Sequence, residues 1–136
     1  MDPIEFTAAV SGTSAAATIR CAGDLNVRAD AAMEAAYAEA ARLGASHITL
    51  DFERVGYINS TGIALIVRLL ADARSDRREV RVCGLSAHYL EIFQITRLSD
   101  YMRIFDDQAS ATAAAPSTSS TPATAATSAA STGGRR

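Results

Sequence analysis

The first hundred or so residues predict an α/β domain, a sheet with parallel strands and helical crossovers. Three observations carry that expectation. Apolar side chains alternate at a strand period through Ile48, Leu50 and Phe52. On either side they recur at helical spacing: Met33, Ala36, Tyr37, Ala40 and Leu43 before, and Ile63, Ala64, Ile66, Val67, Leu69, Leu70 and Ala73 after. Turn and cap signals separate the two kinds of segment, at Gly44, at Asn59-Ser60 and at Ser86.

Each element has its own reason. Residues 4–10 read as a first strand, followed by a turn at Ser11-Gly12-Thr13, and residues 16–22 as a second strand ended by Gly23-Asp24. So few residues join these two that an antiparallel pair is open to them. Residues 29–43 read as a helix stopped by Gly44 in the C′ position. Residues 46–52 are the central strand, and a second helix runs from Thr61 to about Asp76, with Asn59 and Ser60 both suited to its N-cap. Residues 79–84 form the next strand. Ser86 caps a third helix reaching about Gln94, and residues 102–105 make a short last strand. The alanines after Asp106-Asp107 allow a short fourth helix.

Composition bounds the rest. From Ala109 to Arg136 the chain is almost entirely Ala, Ser, Thr, Pro and Gly, with no Leu, Ile, Val, Phe or Tyr. Such a segment buries too little apolar surface to offset the entropy of ordering it. The expected organisation is therefore a domain over residues 1–108 and a disordered tail over 109–136. The domain carries 11 arginines against 15 acids, a net charge of −4. That is a poor match to nucleic acid. No apolar run approaches the roughly 18 residues of a membrane span, and MDPIEFTAAV lacks the basic and apolar regions of a signal peptide. The expectation is a cytoplasmic protein with no membrane insertion.

The chemistry-bearing residues are few. Cys21 and Cys83 fall in different strands, with no His or Cys at ligand spacing. They read as small buried hydrophobes, with a redox pair as the alternative. His47 and His88 lack a recognisable partner and read as packing or surface residues. Arg74, Arg77 and Arg78 are placed to complement the C-terminus of the second helix. Phosphate-binding loops, dinucleotide fingerprints and nucleophile elbows are missing, and Ser60 has no evident base. The chain is thus expected to be no enzyme and to hold neither cofactor nor metal. One chemical handle remains, the hydroxyl pair Ser60-Thr61 at the strand-to-helix junction, facing the positive end of a helix dipole. A phosphate there would be stabilised by about 0.3–1 kcal/mol if exposed.

The run DFERVGYINSTGIALIV resembles the signature of STAS-domain proteins, specifically the single-domain anti-sigma factor antagonists. That pattern is an acid ending a strand, an apolar residue about four on, then Asp-Ser-Ser/Thr-Gly-Leu/Ile opening a helix. Here the positions read Asp51, Val55, Asn59, Ser60, Thr61, Gly62 and Ile63. Gly23-Asp24-Leu25-Asn26 is similar to the family's Gly-Glu-Leu-Asp turn. Phe93-Gln94-Ile95-Thr96-Arg97-Leu98, with Ile104-Phe105, is similar to its closing helix and last strand. The resemblance covers roughly residues 4 to 107. It implies the STAS fold, a mixed four- or five-stranded sheet packed by about three to four helices.

The resemblance also implies a function. Ser60 stands at the phosphoacceptor position, with Thr61 as the neighbouring alternative. Asp24, Asn26, Asn59, Ser60, Thr61 and Gly62 would form the partner-binding surface. The implied partner is an anti-sigma factor, itself a serine kinase with a histidine-kinase-like ATPase fold. Unphosphorylated antagonist would sequester it and release a sigma factor, and a metal-dependent serine phosphatase would reset the cycle. ATP and Mg²⁺ would belong to those partners. Asn59 and Asn26 depart from the pattern, which has acids at both positions. Either Asn caps as well as Asp does, or the missing carboxylates slow phosphate transfer or removal. The second possibility keeps open a different role, a non-phosphorylated STAS subunit of a transporter or other assembly. Asp24 reads as a turn former or as a contact to the phosphoacceptor loop. Asp51 reads as a capping group.

Overall fold

The computed structural model describes residues 4–114. Five strands form one sheet in the order β1-β2-β3-β4-β5: β1 Thr7–Gly12, β2 Ala16–Leu25, β3 His47–Ile58, β4 Glu79–Cys83 and β5 Arg103–Phe105. β1 and β2 are antiparallel, as their short connection permits, and every other neighbouring pair is parallel. The parallel pairs are connected through α1 Asp30–Arg42, α2 Ser60–Ser75 and α3 Ala87–Ile95, and a fourth helix, α4, covers Gln108–Ala113. The alternating periods predict the parallel strands and helical crossovers, and the mixed five-stranded sheet is the one the STAS resemblance implies.

The two faces of the sheet differ. Ile19, Ile48, Leu50, Phe52, Val80 and Val82 point to one side, where they join Met33, Ala36 and Ala40 of α1, Leu65, Ile66, Leu69 and Leu70 of α2, and Tyr89 and Phe93 of α3. Strand side chains alternate, so Thr18, Thr49, Asp51, Arg81 and Cys83 lie on the other side, also buried. α4 closes part of that second face: Ala111 is fully buried, its carbonyl accepts from Arg81 Nη1 at 2.6 Å, and Gln108 Oε1 accepts from Arg20 Nε at 3.3 Å. The compositional boundary after residue 108 therefore falls inside a packed helix. The rest of the expected tail, from residue 115 on, lies outside the described residues.

Three local differences from the sequence reading have physical causes. Gly23-Asp24 does not end β2. Gly23 has φ +97, and its bare Cα packs on the Glu5 carbonyl, which lets the strand continue to Leu25. β3 outruns its expected end by six residues because it carries irregularities: its pairing offset to β2 grows from 31 at Ala16–His47 to 33 at Leu25–Ile58. Such bulges break the alternation that marks a strand. Of the arginine cluster, Arg78 serves α1 rather than α2, donating to the carbonyls of Ala41 and Ala45 at 3.2 and 2.9 Å beside an ion pair with Asp76. Arg74 instead lies over the Tyr101 ring at 5.6 Å.

Cys21 and Cys83 sit on β2 and β4 with β3 between them. Two strand spacings of about 4.8 Å each exceed the roughly 7 Å Cα separation a disulfide can span. Burial raises both thiols, Cys83 to about 12 with further help from the neighbouring Asp51 carboxylate. These are inert core cysteines.

Candidate functional site

β2, β3 and β4 end at one rim of the sheet, and each is followed by a capped helix start. After Leu25, the Asn26 side chain accepts from Arg28 N at 2.9 Å and caps a 3-10 turn, Val27–Ala29. After Ile58, the Asn59 side chain accepts from Gly62 N at 2.8 Å and caps α2. After β4, the Ser86 hydroxyl accepts from Tyr89 N at 3.3 Å and caps α3. Leu25 and Ile58 are register partners, so Asn26 and Asn59 start neighbouring helical segments side by side. A cap of this kind contributes about 1 kcal/mol.

Asn59 takes the N-cap, which makes Ser60 the first residue of α2 and leaves its side chain exposed. Thr61 is also exposed. Of the four amides at this helix start, Gly62 donates to the Asn59 side chain and Ile63 to the Asn59 carbonyl at 2.9 Å. The amides of Ser60 and Thr61 have no protein partner among the described residues. Two unclaimed N–H groups at the positive end of a 16-residue helix, beside an exposed hydroxyl, make a setting that favours an anion.

Gly62 explains how the two segments come so close. A Cβ at this position would collide with the Leu25 carbonyl and crowd Ile58. The same carbonyl accepts from Asn59 N at 3.2 Å. Gly62 thus serves the close approach of the neighbouring strand end.

Asp24 is neither a turn former nor bonded to Asn59 or Ser60. It pairs with Tyr57 in the β2–β3 ladder, and its carboxylate accepts from Ile4 N at 3.1 Å. Asp51 does not cap the strand-to-helix loop, because β3 runs on to Ile58: it lies inside the strand and accepts from Glu53 N at 3.0 Å, where the pairing with β2 is irregular. Tyr89 was invisible as a site residue in the sequence. It lies on α3, is 8% exposed, and its hydroxyl accepts from Ile58 N at 2.8 Å, one residue before the cap. His88 is exposed and meets the Tyr89 ring edge-on, and His47 opens β3, at the opposite end of that strand from Ser60. Among the described residues no group of three or more His, Cys, Asp or Glu side chains is placed to hold a metal. Nor is any helix there long and apolar enough to cross a membrane.

The family model described as "Mlab, STAS domain" matches residues 8–104. The chain belongs to the STAS-domain family. Among similar proteins, an anti-sigma-B factor antagonist of Staphylococcus aureus is 28% identical over 86 residues, covering 63% of this chain and 80% of that one. In fold, this STAS domain is similar to an anti-sigma factor antagonist from Mycobacterium paratuberculosis, with TM-score 0.67 at 13% identity over 79% of this chain and 91% of that one. It is also similar to the unphosphorylated form of the antagonist SpoIIAA, with TM-score 0.60 at 19% identity over 76% of this chain and 90% of that one. The Bacillus SpoIIAA is also known in a phosphorylated form, which aligns at TM-score 0.58 and 20% identity over 73% and 91% of the two chains.

Proposed function

We propose that this STAS domain is an anti-sigma factor antagonist whose hold on its partner is switched by phosphate on Ser60. The observation that carries this is the exposed Ser60 hydroxyl next to two unclaimed amides at the start of α2. The surface that continues from it is neutral. Ser60, Ala64, Val67 and Ala71 are exposed at i, i+4, i+7 and i+11, one face of the helix, and Tyr57 and Val27 add exposed apolar area at the rim. A partner packing along this stripe covers Ser60. Asp24, Asn26, Asn59, Thr61 and Gly62 frame that surface from the ends of β2 and β3.

Phosphoserine adds about −1.5 to −2 charges. The helix start accommodates them, and a docked protein surface does not. A loss of about 3 kcal/mol weakens binding roughly 100-fold. Asn26 and Asn59 both act as caps, a task that Asn performs as well as Asp. This supports the benign reading of the two departures. The partner is an anti-sigma factor that binds ATP and phosphorylates Ser60, with Thr61 the lesser acceptor, and a metal-dependent phosphatase restores the hydroxyl. The antagonist itself works in the cytoplasm as a binding module, not an enzyme.

The test is phosphopeptide mass spectrometry on tagged protein purified from its host, with co-purifying proteins identified. Trypsin releases VGYINSTGIALIVR, residues 55–68, which isolates both hydroxyls. The expected result is phosphate on Ser60 and an ATP-binding anti-sigma factor in the eluate. Ser60→Ala should then bind that factor constitutively, and Ser60→Asp about 100-fold more weakly. Equal affinity of all three forms would sink the switch. An unmodified peptide with a transporter ATPase bound would replace this reading with the structural-subunit role.

A further inference from the structure

β3 continues for seven residues after its last pair with β4, Asp51–Cys83. β4 turns away at Gly84, whose φ of +78 and bare Cα bring the chain against Glu53. Beyond that crossing β3 keeps β2 on one side and has no strand on the other. Successive amides in a strand point to opposite sides. Asn59 N points toward β2 and donates to Leu25 O, so Ile58 N points to the open side. There the Tyr89 hydroxyl takes the place of the missing strand, accepting from Ile58 N at 2.8 Å. Phenylalanine would fill the same buried volume. The polar atom is costly to bury without a partner, and Ile58 N is the partner it has.

We propose that Tyr89 is the positioning residue of Ser60, fixing the end of β3 and with it the cap from which α2 starts. Three hydrogen bonds converge on two consecutive residues. Ile58 N is tied to α3, Asn59 N to β2, and Asn59 Oδ1 to the Gly62 amide of α2. Ser60 follows directly on this frame, and α3 holds one leg of it. The Ser86 cap sets the first turn of α3, which carries Tyr89. Ser60 therefore depends on α3 through the Tyr89 hydroxyl, which lies 31 residues from Ile58 in sequence. The functional meaning of this frame rests on Ser60 being the phosphoacceptor.

Tyr89→Phe and Ile92→Val are compared with wild type as full chains. Ile92 is partly buried against the same core, so its shortening loosens α3 without touching the hydroxyl. Amide hydrogen exchange at Ile58, Asn59 and Gly62 should rise about fivefold or more in Tyr89→Phe, beyond any change in Ile92→Val, while Leu50 and Val82 move alike in both. Phosphate transfer to Ser60 by the co-purified anti-sigma factor should lose kcat in Tyr89→Phe with KM retained. Unchanged exchange at the three amides, or an equal rise in the two variants, overturns the proposal, as does an unchanged kcat. Where wild-type Ser60 takes no phosphate, the functional reading fails by itself, and the exchange data alone decide whether Tyr89 positions the cap.

Discussion

The rim of the sheet and its second face are both polar, and they are built in opposite ways. On the second face Arg81 is fully buried, held by Glu79 at 2.8 Å and the Ala111 carbonyl at 2.6 Å, and Arg103 reaches the same Glu79 at 2.9 Å. Asp51 and Cys83 are register partners on that side. At the rim, the groups that matter are neutral: two Asn side chains and a Ser that cap helices, and an exposed Ser60 beside open amides. A buried charge is stable only when its partners consume its bonding capacity, so the charge-rich face has been spent on holding α4 and the strands together. The rim keeps unspent donors facing solvent. In this molecule concentrated charge marks architecture, and an exposed hydroxyl in a rigid backbone frame marks the candidate site.

Removing Arg81 is the most damaging way to test that contrast. Arg81→Met keeps the length of the side chain, takes one of its two arginine partners from Glu79 and leaves the Ala111 carbonyl without the Arg81 donor. Breaking a buried pair from one side costs about 3–5 kcal/mol, which urea denaturation would show as a lowered midpoint at similar slope. α4 should loosen as well, visible as protease sensitivity near Gln108. A loss under about 1 kcal/mol would mean that the face is solvated in solution and the contrast with the rim is false.

Gly62→Ala acts on the rim with a smaller effect. The added methyl meets backbone, the Leu25 carbonyl, which has no rotamer by which to yield. Overpacking of this kind costs about 1–3 kcal/mol. The expected signature is local: α2 shifts at its start, the Asn59–Gly62 hydrogen bond lengthens, and partner affinity falls further than the change in stability accounts for. Unaltered affinity in a folded variant would show that the partner does not read the junction of β3 and α2.

The same contrast explains what the sequence reveals and what it hides. The helices and the central strand were legible because their apolar periods are regular, as in Ile48-Leu50-Phe52 and in the α2 run from Ile63 to Ala73. Ser60 was legible because an Asn-Ser-Thr-Gly run before an apolar helix is a start signal whatever the fold. The far half of β3 was not, since Glu53-Arg54-Val55-Gly56-Tyr57 has no alternation and is held by bulged pairing and by side chains from elsewhere. Tyr89 was hidden for a related reason. At core spacing on a helix, its ring predicts burial, and nothing local predicts that its hydroxyl serves a strand end. α4 follows the same rule. Alanine-rich sequence signals little, and Ala111 is buried because Arg81 needs a carbonyl.

The smallest effect expected is a pH slope from the second face alone. His47 opens β3, is 8% exposed, and its Nδ1 lacks a hydrogen-bond partner. Burial lowers its pKa from 6.5, Arg81 and Arg103 lower it further, and Glu79 opposes them. A depressed folded-state pKa means that the unfolded chain takes the proton first. Stability is then unaffected by His47 above about pH 7 and falls as the pH drops through the ordinary histidine value near 6.5. The fall continues until the folded state also protonates. Urea midpoints at pH 7.5 and 5.5 should therefore differ in wild type, with the acid value lower, and the difference should shrink in His47→Gln. Ser60 carries no such group beside it, so affinity for the unphosphorylated partner should not follow the His47 slope. If the slope survives His47→Gln intact, the acid sensitivity comes from elsewhere. The unpartnered Nδ1 is then solvated rather than buried among the arginines.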